Sequence, residues 1–501
     1  MVGAGSVAYA GPRSIAASAH GSLVWGVPFD HQGELSDAQI ERLIADPTAV
    51  KAWGRWVAVG RTAGGLRVVT GPDLVHTLVT AESGDRQVWS TQGLAALDAL
   101  GVAPRIRLDR LPELVVFEYV LNDDSLLEGV RLVPECSVID IARDGTARTW
   151  SWWPWPERLG DLEQPSSAAE LRDAVAEVAV GAARVPDAWL LGTAGRDSNL
   201  VASVLMEHGA KPSGIATVGQ PADADVIGAR AASAHASWAH ERFEWRGEGR
   251  SLAAVLDDSR WTEGLDQAGN LVGPELTWAG PTTAMFLNGC GGEIGRAFYW
   301  SDQPVSADPV AMLTEWISAG MKDSARAALT SRTTEALAGL GSWEVPRLLD
   351  LQYARGRVRS WAERARPLSD RRSSVAIYSQ PPVVSALLRL PAEQRRSGSG
   401  FRAALDADPT GLVAAVRSSM SENPRSMTSR VRNRLRRRPD PTVGIWRAVR
   451  KQLDPRHHLA EVQLGEAWLA DTVTRAEHSP LHRRMLRSSL SVELLSASLS
   501  G

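Results

Sequence analysis

Seven residues, Gly192-Thr193-Ala194-Gly195-Arg196-Asp197-Ser198, have the types and spacing to hold phosphate. Small residues let a backbone approach a ligand closely. A helix starting here would add unpaired N–H groups and the positive end of its dipole. The Thr193 and Ser198 hydroxyls supply further donors, and Asp197 supplies a carboxylate. A second loop, Asn288-Gly289-Cys290-Gly291-Gly292-Glu293, delivers another carboxylate from another glycine-rich turn. Asp197 and Glu293 with phosphate oxygens would make a usual set of Mg²⁺ ligands. Either loop alone also fits an ordinary strand-to-helix turn, with Glu293 capping a helix. The pair together favours a nucleotide site.

The flanking residues say what must position these loops. Trp189, Leu190 and Leu191 read as a buried strand entering the first loop, and Leu200, Val201, Val204 and Leu205 recur behind it at helical spacing. Ser213 to Gly219 reads as a second strand. A helix then starts at Asp223-Ala224-Asp225 with Ile227, Ala231 and Ala234 on its apolar face. Glu241 to Trp245 reads as a third strand, and Thr283 to Leu287 runs into the second loop. Strands alternating with helices predict an α/β fold: a parallel sheet with helices on both faces, which binds ligands at the carboxyl ends of its strands.

The first 155 residues read differently. Arg55 to Val59, Leu66 to Thr70, Val115 to Val120, Ser137 to Ile141 and Thr146 to Thr149 are short apolar segments separated by turns, as in hairpins packed in two layers. The stretch from Trp150 to Pro156 reads as an aromatic linker between domains. Ala168 to Ala183 predicts a helix with Leu171, Val175, Val178 and Ala182 inward. Past residue 305 the chain turns helical, over 309–319, 325–340 and 345–365. Arg355, Arg357, Arg359, Arg364 and Arg366 read as a solvated face, one or two of which can reach a pyrophosphate. The arginine-rich segment 424–439 reads as an exposed loop, or as a docking site for an acidic peptide or carrier. Two or three helices are expected from Pro441 onward. The expected division is 1–155, 165–420 and 421–501.

Composition narrows the function classes. At 501 residues the chain exceeds one core, and its net charge of -3 gives no general affinity for nucleic acid or an anionic membrane. No apolar run reaches membrane-spanning length. The first 27 residues lack the basic start and apolar core of a signal peptide. Cys136 and Cys290 are the two cysteines, so neither a disulfide framework nor a zinc cluster is expected and a reducing cytoplasm is the default location.

The stretch Thr193-Ala194-Gly195-Arg196-Asp197-Ser198 resembles the Ser-Gly-Gly-x-Asp-Ser pyrophosphate loop of the asparagine synthetase family of ATP pyrophosphatases. Ala216 to Gly219 with the helix after it is similar to the family's second strand and helix. Asn288 to Glu293 is similar to its Gly-x-Gly-Ala-Asp loop. Leu127 to Pro134 and Pro381 to Pro391 are similar to the end of its N-terminal glutaminase-like domain and to a late helix, so the resemblance spans about residues 22 to 415.

The resemblance implies an N-terminal nucleophile-type layered β domain of the α+β kind, then a parallel-sheet synthetase domain with a helical C-terminal part. It also implies an activity: ATP and Mg²⁺ activate a carboxylate as an acyl-adenylate, pyrophosphate leaves, and an amine displaces AMP. By motif, Thr193, Gly195 and Ser198 would hold phosphate. Asp197 and Glu293 would bind Mg²⁺ and pyrophosphate and so carry the catalysis. Gly192, Val218, Asn288 and Gly289 would contact the nucleoside side. The chain departs from the pattern at Val2, where glutamine-using members carry cysteine, so no glutaminase activity is expected. Cys290 stands where asparagine synthetases have an acid and β-lactam synthetases a tyrosine, and glycines 398 and 400 stand where a lysine is usual. It is closest in kind to β-lactam synthetases and lasso-peptide cyclases. The leading expectation is an amide-forming ligase acting on a small-molecule or peptide substrate, with a precursor peptide or pathway protein as partner. Asparagine synthesis from free or partner-supplied ammonia, and a non-catalytic ATP- or peptide-binding scaffold, stand beside it.

Overall fold

A computed structural model describes residues 15–17, 21–75, 78–153, 162–246, 251–261, 275–278, 280–281, 283–318, 320–361, 374–422, 442–476 and 479–500. The fold is mixed α/β, with five parallel strands in one sheet.

The first third builds an antiparallel sheet of six strands. Its centre is the hairpin Trp56–Thr62 and Gly65–Thr70, turned by Ala63 and Gly64, with Leu23–Gly26 and Ser137–Ala142 on either side. Alternation along these strands sends Trp56, Ala58 and Val69 to one face and Val57, Val68 and Ile139 to the other. The helix Asp37–Ala45 covers the first face through Ile40, Leu43 and Ile44. A three-stranded sheet, Arg86–Ser90, Val79–Ser83 and Val130–Leu132, lies alongside.

The expected strand over Val115 to Val120 is instead the helix Leu111–Phe117. A continuous apolar run does not distinguish a buried strand from a helix buried on all sides, and this helix is the second kind. Pro112 favours a helical first turn. Glu118 stops the helix in the left-handed region at φ 67°, where the Arg357 guanidinium holds its carboxylate.

The parallel sheet runs Ala239–Arg246, Gly214–Val218, Ala188–Leu191, Met285–Asn288 and Ser374–Ala376, with Glu275–Thr277 antiparallel at one edge. Leu190 pairs with both Ile215 and Leu287, so Ala188–Leu191 is central. The helix Ala168–Ala183 begins with a Ser167/Glu170 capping box, and its Leu171, Val175, Val178 and Ala182 are fully buried, as their spacing predicts. The helices Arg196–Glu207 and Ala224–Ala236 connect strands in the same direction across the sheet, which puts both on one face. Among the described residues the other face carries an aromatic cluster of Trp189, Phe243, Phe286 and Trp278 rather than the expected helices.

The rest of the chain is largely helical. The helix from Val345 ends at Gln352, and a π-helical turn follows over Tyr353–Val358. Arg355, Arg357 and Arg359 lie here, and they are not a solvated face. They enter the junction with the first third and pair with Glu135, Glu118 and Asp123. Arg364, Arg366 and the segment 424–439 lie outside the described residues. Among the described residues four α-helices follow residue 441, Thr442–Arg450, Leu459–Leu464, Glu466–Ala476 and Pro480–Ser500, where two or three were expected. The last one reaches back to pack on Leu111–Phe117. One apolar core runs from Phe29 and Leu97 through Leu190 to Leu495.

Candidate functional site

The central strand sets the site. From Ala188–Leu191 the chain moves outward on one side through Gly214–Val218 and Ala239–Arg246, then returns to the other side through Met285–Asn288. Two adjacent strands whose connections leave in opposite directions open a crevice at their carboxyl ends. The first loop leaves one of these strands and the second loop leaves the other.

The loops touch because the second one lacks side chains. A Cβ at Gly292 would lie 2.7 Å from the Asp197 carboxyl carbon, and one at Gly289 would lie 3.1 Å from the Ser198 backbone nitrogen. Gly291 makes the turn at φ 102°, a value natural to glycine. Glu293 lies in the first turn of a short 3₁₀ helix, Gly292–Arg296, whose last residue points back to the first loop.

Asp197 and Glu293 therefore converge, and Arg296 stands between them. A single guanidinium nitrogen, Nη2, lies 2.9 Å from Asp197 Oδ2 and 3.1 Å from Glu293 Oε1. The other oxygen, Asp197 Oδ1, is buried without a hydrogen-bond partner. Burial pushes the Asp197 carboxyl up to about 7, and the Glu293 charge adds to this while Arg296 opposes it. Burial lowers the Arg296 pKa, but the two carboxylates outweigh that and hold it above its ordinary value. Both acids share Arg296 directly, and Arg196 adds a further positive charge near Asp197. The side chains of Asp197 and Glu293 keep 20% and 32% of their surface exposed, so the cluster is open on one side.

Tyrosines frame the acids. Tyr378 donates its hydroxyl to the Asp197 carbonyl at 2.9 Å, and Tyr353 donates to Glu293 Oε2 at 3.4 Å. Burial raises both phenols well above their ordinary values, so they stay protonated donors. Cys290 is also raised, by burial and then by the charges of Glu293 and Asp197, which keeps it a thiol.

The first loop is closed on itself. Ser198 Oγ accepts from the Thr193 N–H and lies 3.1 Å from Thr193 Oγ1, which accepts from the Gly195 N–H at 2.9 Å. Asp225 Oδ1 accepts from the Ala194 N–H at 3.1 Å. Thr193, Gly195, Asp197 and Ser198 thus sit together at the start of Arg196–Glu207, with Glu293 and Gly289 across from them.

The remaining expected contacts are spent on the sheet. Gly192 donates its N–H to Ala216 and accepts from Thr217 Oγ1. The Asn288 side chain accepts from the Cys290 N–H and donates to Ser374 Oγ. Val218 ends its strand, half-buried against the aromatic cluster. The residues that sequence reasoning missed are Arg296, Tyr353 and Tyr378. Only Arg296 left a signal, an opposite charge three residues after Glu293 on a helical turn.

No protein-family model matches the chain, and a search of curated proteins returns no match.

Proposed function

We propose that the two loops bind the triphosphate of ATP, and that the chain is a ligase joining a substrate carboxylate to an amine through an acyl-adenylate. The observation that carries this reading is the convergence of Asp197 and Glu293, from separate glycine-rich loops, at the crevice beside a helix N-terminus. On this reading the parallel sheet is the ATP pyrophosphatase domain of the asparagine synthetase family, and the antiparallel layers are its glutaminase-like domain.

Among the described residues no group of three or more His, Cys, Asp or Glu forms a metal cage. Mg²⁺ needs none here, because it is commonly held by one or two carboxylates and substrate phosphates. The two converging carboxylates and the unpartnered Asp197 Oδ1 fit such an ion. When bound, it would neutralise the departing pyrophosphate. The chain's part is to orient the triphosphate on the Ala194, Gly195 and Arg196 backbone, with the Thr193 and Ser198 hydroxyls turning outward to it. Tyr378 fixes the Asp197 backbone.

Cys136 is buried at the turn before Ser137–Ala142, so ammonia from glutamine is not the proposed amine. We assign the carboxylate to a peptide or specialised metabolite, with macrolactam closure or amidation as the outcome, in the manner of lasso-peptide cyclases and β-lactam synthetases. A cytoplasmic setting suits ATP, and among the described residues no helix is long and apolar enough to cross a membrane. One observation favours the non-catalytic alternative, a nucleotide-binding scaffold: the first-loop hydroxyls are engaged with each other. Calorimetry of ATP–Mg²⁺ binding, followed by assay for AMP with candidate carboxylates, separates the two. Binding with AMP formation supports the ligase, binding without AMP over a broad substrate panel supports the scaffold, and absence of binding refutes the nucleotide site.

A further inference from the structure

We propose that Arg296 is the resident counter-cation of this site. It holds the Asp197 and Glu293 carboxylates together until a divalent ion takes its place, and is then free to pair with the phosphate arriving with that ion. The second half of the proposal rests on the nucleotide reading; the first half does not.

The geometry argues for an exchangeable cation rather than a fixed structural pair. Nη2 alone serves both acids, at 2.9 and 3.1 Å, instead of the two-pronged grip that makes an arginine–carboxylate pair strong. The guanidinium carbon lies 5.3 Å from the Phe401 ring centroid, so the head has an aromatic face beside it as well as the two acids. Gly398 leaves room beside it: a Cβ there would meet nothing nearer than Arg196 Nη1 at 3.8 Å and Arg296 Cγ at 3.9 Å. Contrast Arg395, which grips Asp350 with both side chains buried and gives further N–H groups to two backbone carbonyls. That arginine cannot leave, whereas Arg296 is about one-fifth exposed.

The first loop shows the same device with opposite charge. The Asp225 carboxylate occupies the Ala194 N–H, a backbone donor of the type that takes phosphate oxygens. The resting site thus draws both charges of its eventual ligand from its own chain, which limits the cost of burying Asp197 before ligand arrives.

The test measures Mn²⁺ alone by electron paramagnetic resonance, and pyrophosphate with Mg²⁺ by calorimetry, on the full chain and its Arg296→Gln and Arg296→Lys variants. Arg296→Gln should bind Mn²⁺ roughly ten-fold more tightly than wild type, because the competing charge is gone, and Mg²⁺–pyrophosphate roughly ten-fold more weakly. A purely structural arginine would weaken both. Unchanged or weaker Mn²⁺ binding by a folded Arg296→Gln overturns the proposal. Should that variant not fold, Arg296→Lys decides: its side chain is one atom shorter, so its ammonium reaches the two acids less well and should give Mn²⁺ binding several-fold tighter than wild type. Equal affinity overturns the proposal. Failure of the wild type to bind ATP would sink the nucleotide reading while leaving the Mn²⁺ contrast intact; loss of that contrast with ATP binding preserved would sink only this inference.

Discussion

At the scale of single residues, the site depends on two that do opposite things, Asp197 by its charge and Gly292 by its missing side chain. Asp197→Ala should abolish pyrophosphate release while leaving the circular dichroism spectrum unchanged, because the residue sits at a loop-to-helix junction and its removal relieves a buried charge. Activity surviving that change would exclude Asp197 as a ligand of the metal or pyrophosphate. Gly292→Ala should push the two loops apart, since its Cβ would fall 2.7 Å from the Asp197 carboxyl. ATP affinity should drop by about ten-fold or more for a stability cost of about 1–3 kcal/mol, read by calorimetry and thermal melts. Both acids were legible in the sequence because small residues at the ends of apolar strands are a local signal. The partners that tune them were not. Tyr378 and Tyr353 reach the acids from 181 and 60 residues away, and nothing local in a sequence encodes that.

At the scale of elements, legibility followed locality again. The strand at 188–191 and the helices at 168–183 and 196–207 are written in apolar spacing, and they form where expected. The run from Val115 to Val120 misled because its first three residues end a helix, Leu111–Phe117, that is buried on every side, which erases the period that would mark it. Arg355, Arg357 and Arg359 misled because charge runs are usually solvated, and their acidic partners lie more than 200 residues upstream. The helix Ala392–Ser397 offers a test of such long-range pairing. Its Arg395 lies 2.8 Å from Asp350 Oδ2, and Trp300 donates to the other oxygen at 2.9 Å. Burial already pushes Asp350 up to about 7 in spite of this cation. Arg395→Met should therefore cost about 3–5 kcal/mol in denaturant unfolding at pH 8, and Arg395→Met with Asp350→Leu should recover much of the loss. A cost below about 1 kcal/mol would show that the pair is not holding the helix in place.

At the scale of the whole molecule, the antiparallel layers are tied to the parallel sheet through the turn Ile377–Ser379 and the residue after it. Ser379 donates to Asp73, the Leu74 N–H donates to the Ser379 carbonyl at 3.3 Å, and Gln380 accepts from the Gly54 N–H at 3.0 Å. Asp73 is fully buried, and burial pushes its carboxyl up to about 6 from an ordinary 3.8, against the opposing bonds from Ser379 and Val75. A carboxyl raised by folding contributes stability that is full below pH 3.8 and lost as pH rises through about 6. Asp73→Asn should lack that dependence. Its stability relative to wild type should then rise by on the order of 2–3 kcal/mol between pH 4 and pH 7, measured by urea unfolding. A constant difference across that range would show that Asp73 does not titrate at the junction. Nothing local hints at this contact, since Asp73 reads as a turn residue after Gly71-Pro72.

If Asp197 and Glu293 line an adenylating site, Mg²⁺ should support exchange of labelled pyrophosphate into ATP when aspartate, peptide extracts and small carboxylic acids are supplied separately. Exchange with at least one carboxylate other than aspartate, lost in Asp197→Ala, is the expected result. Exchange with no carboxylate, or exchange undiminished in Asp197→Ala, would contradict it.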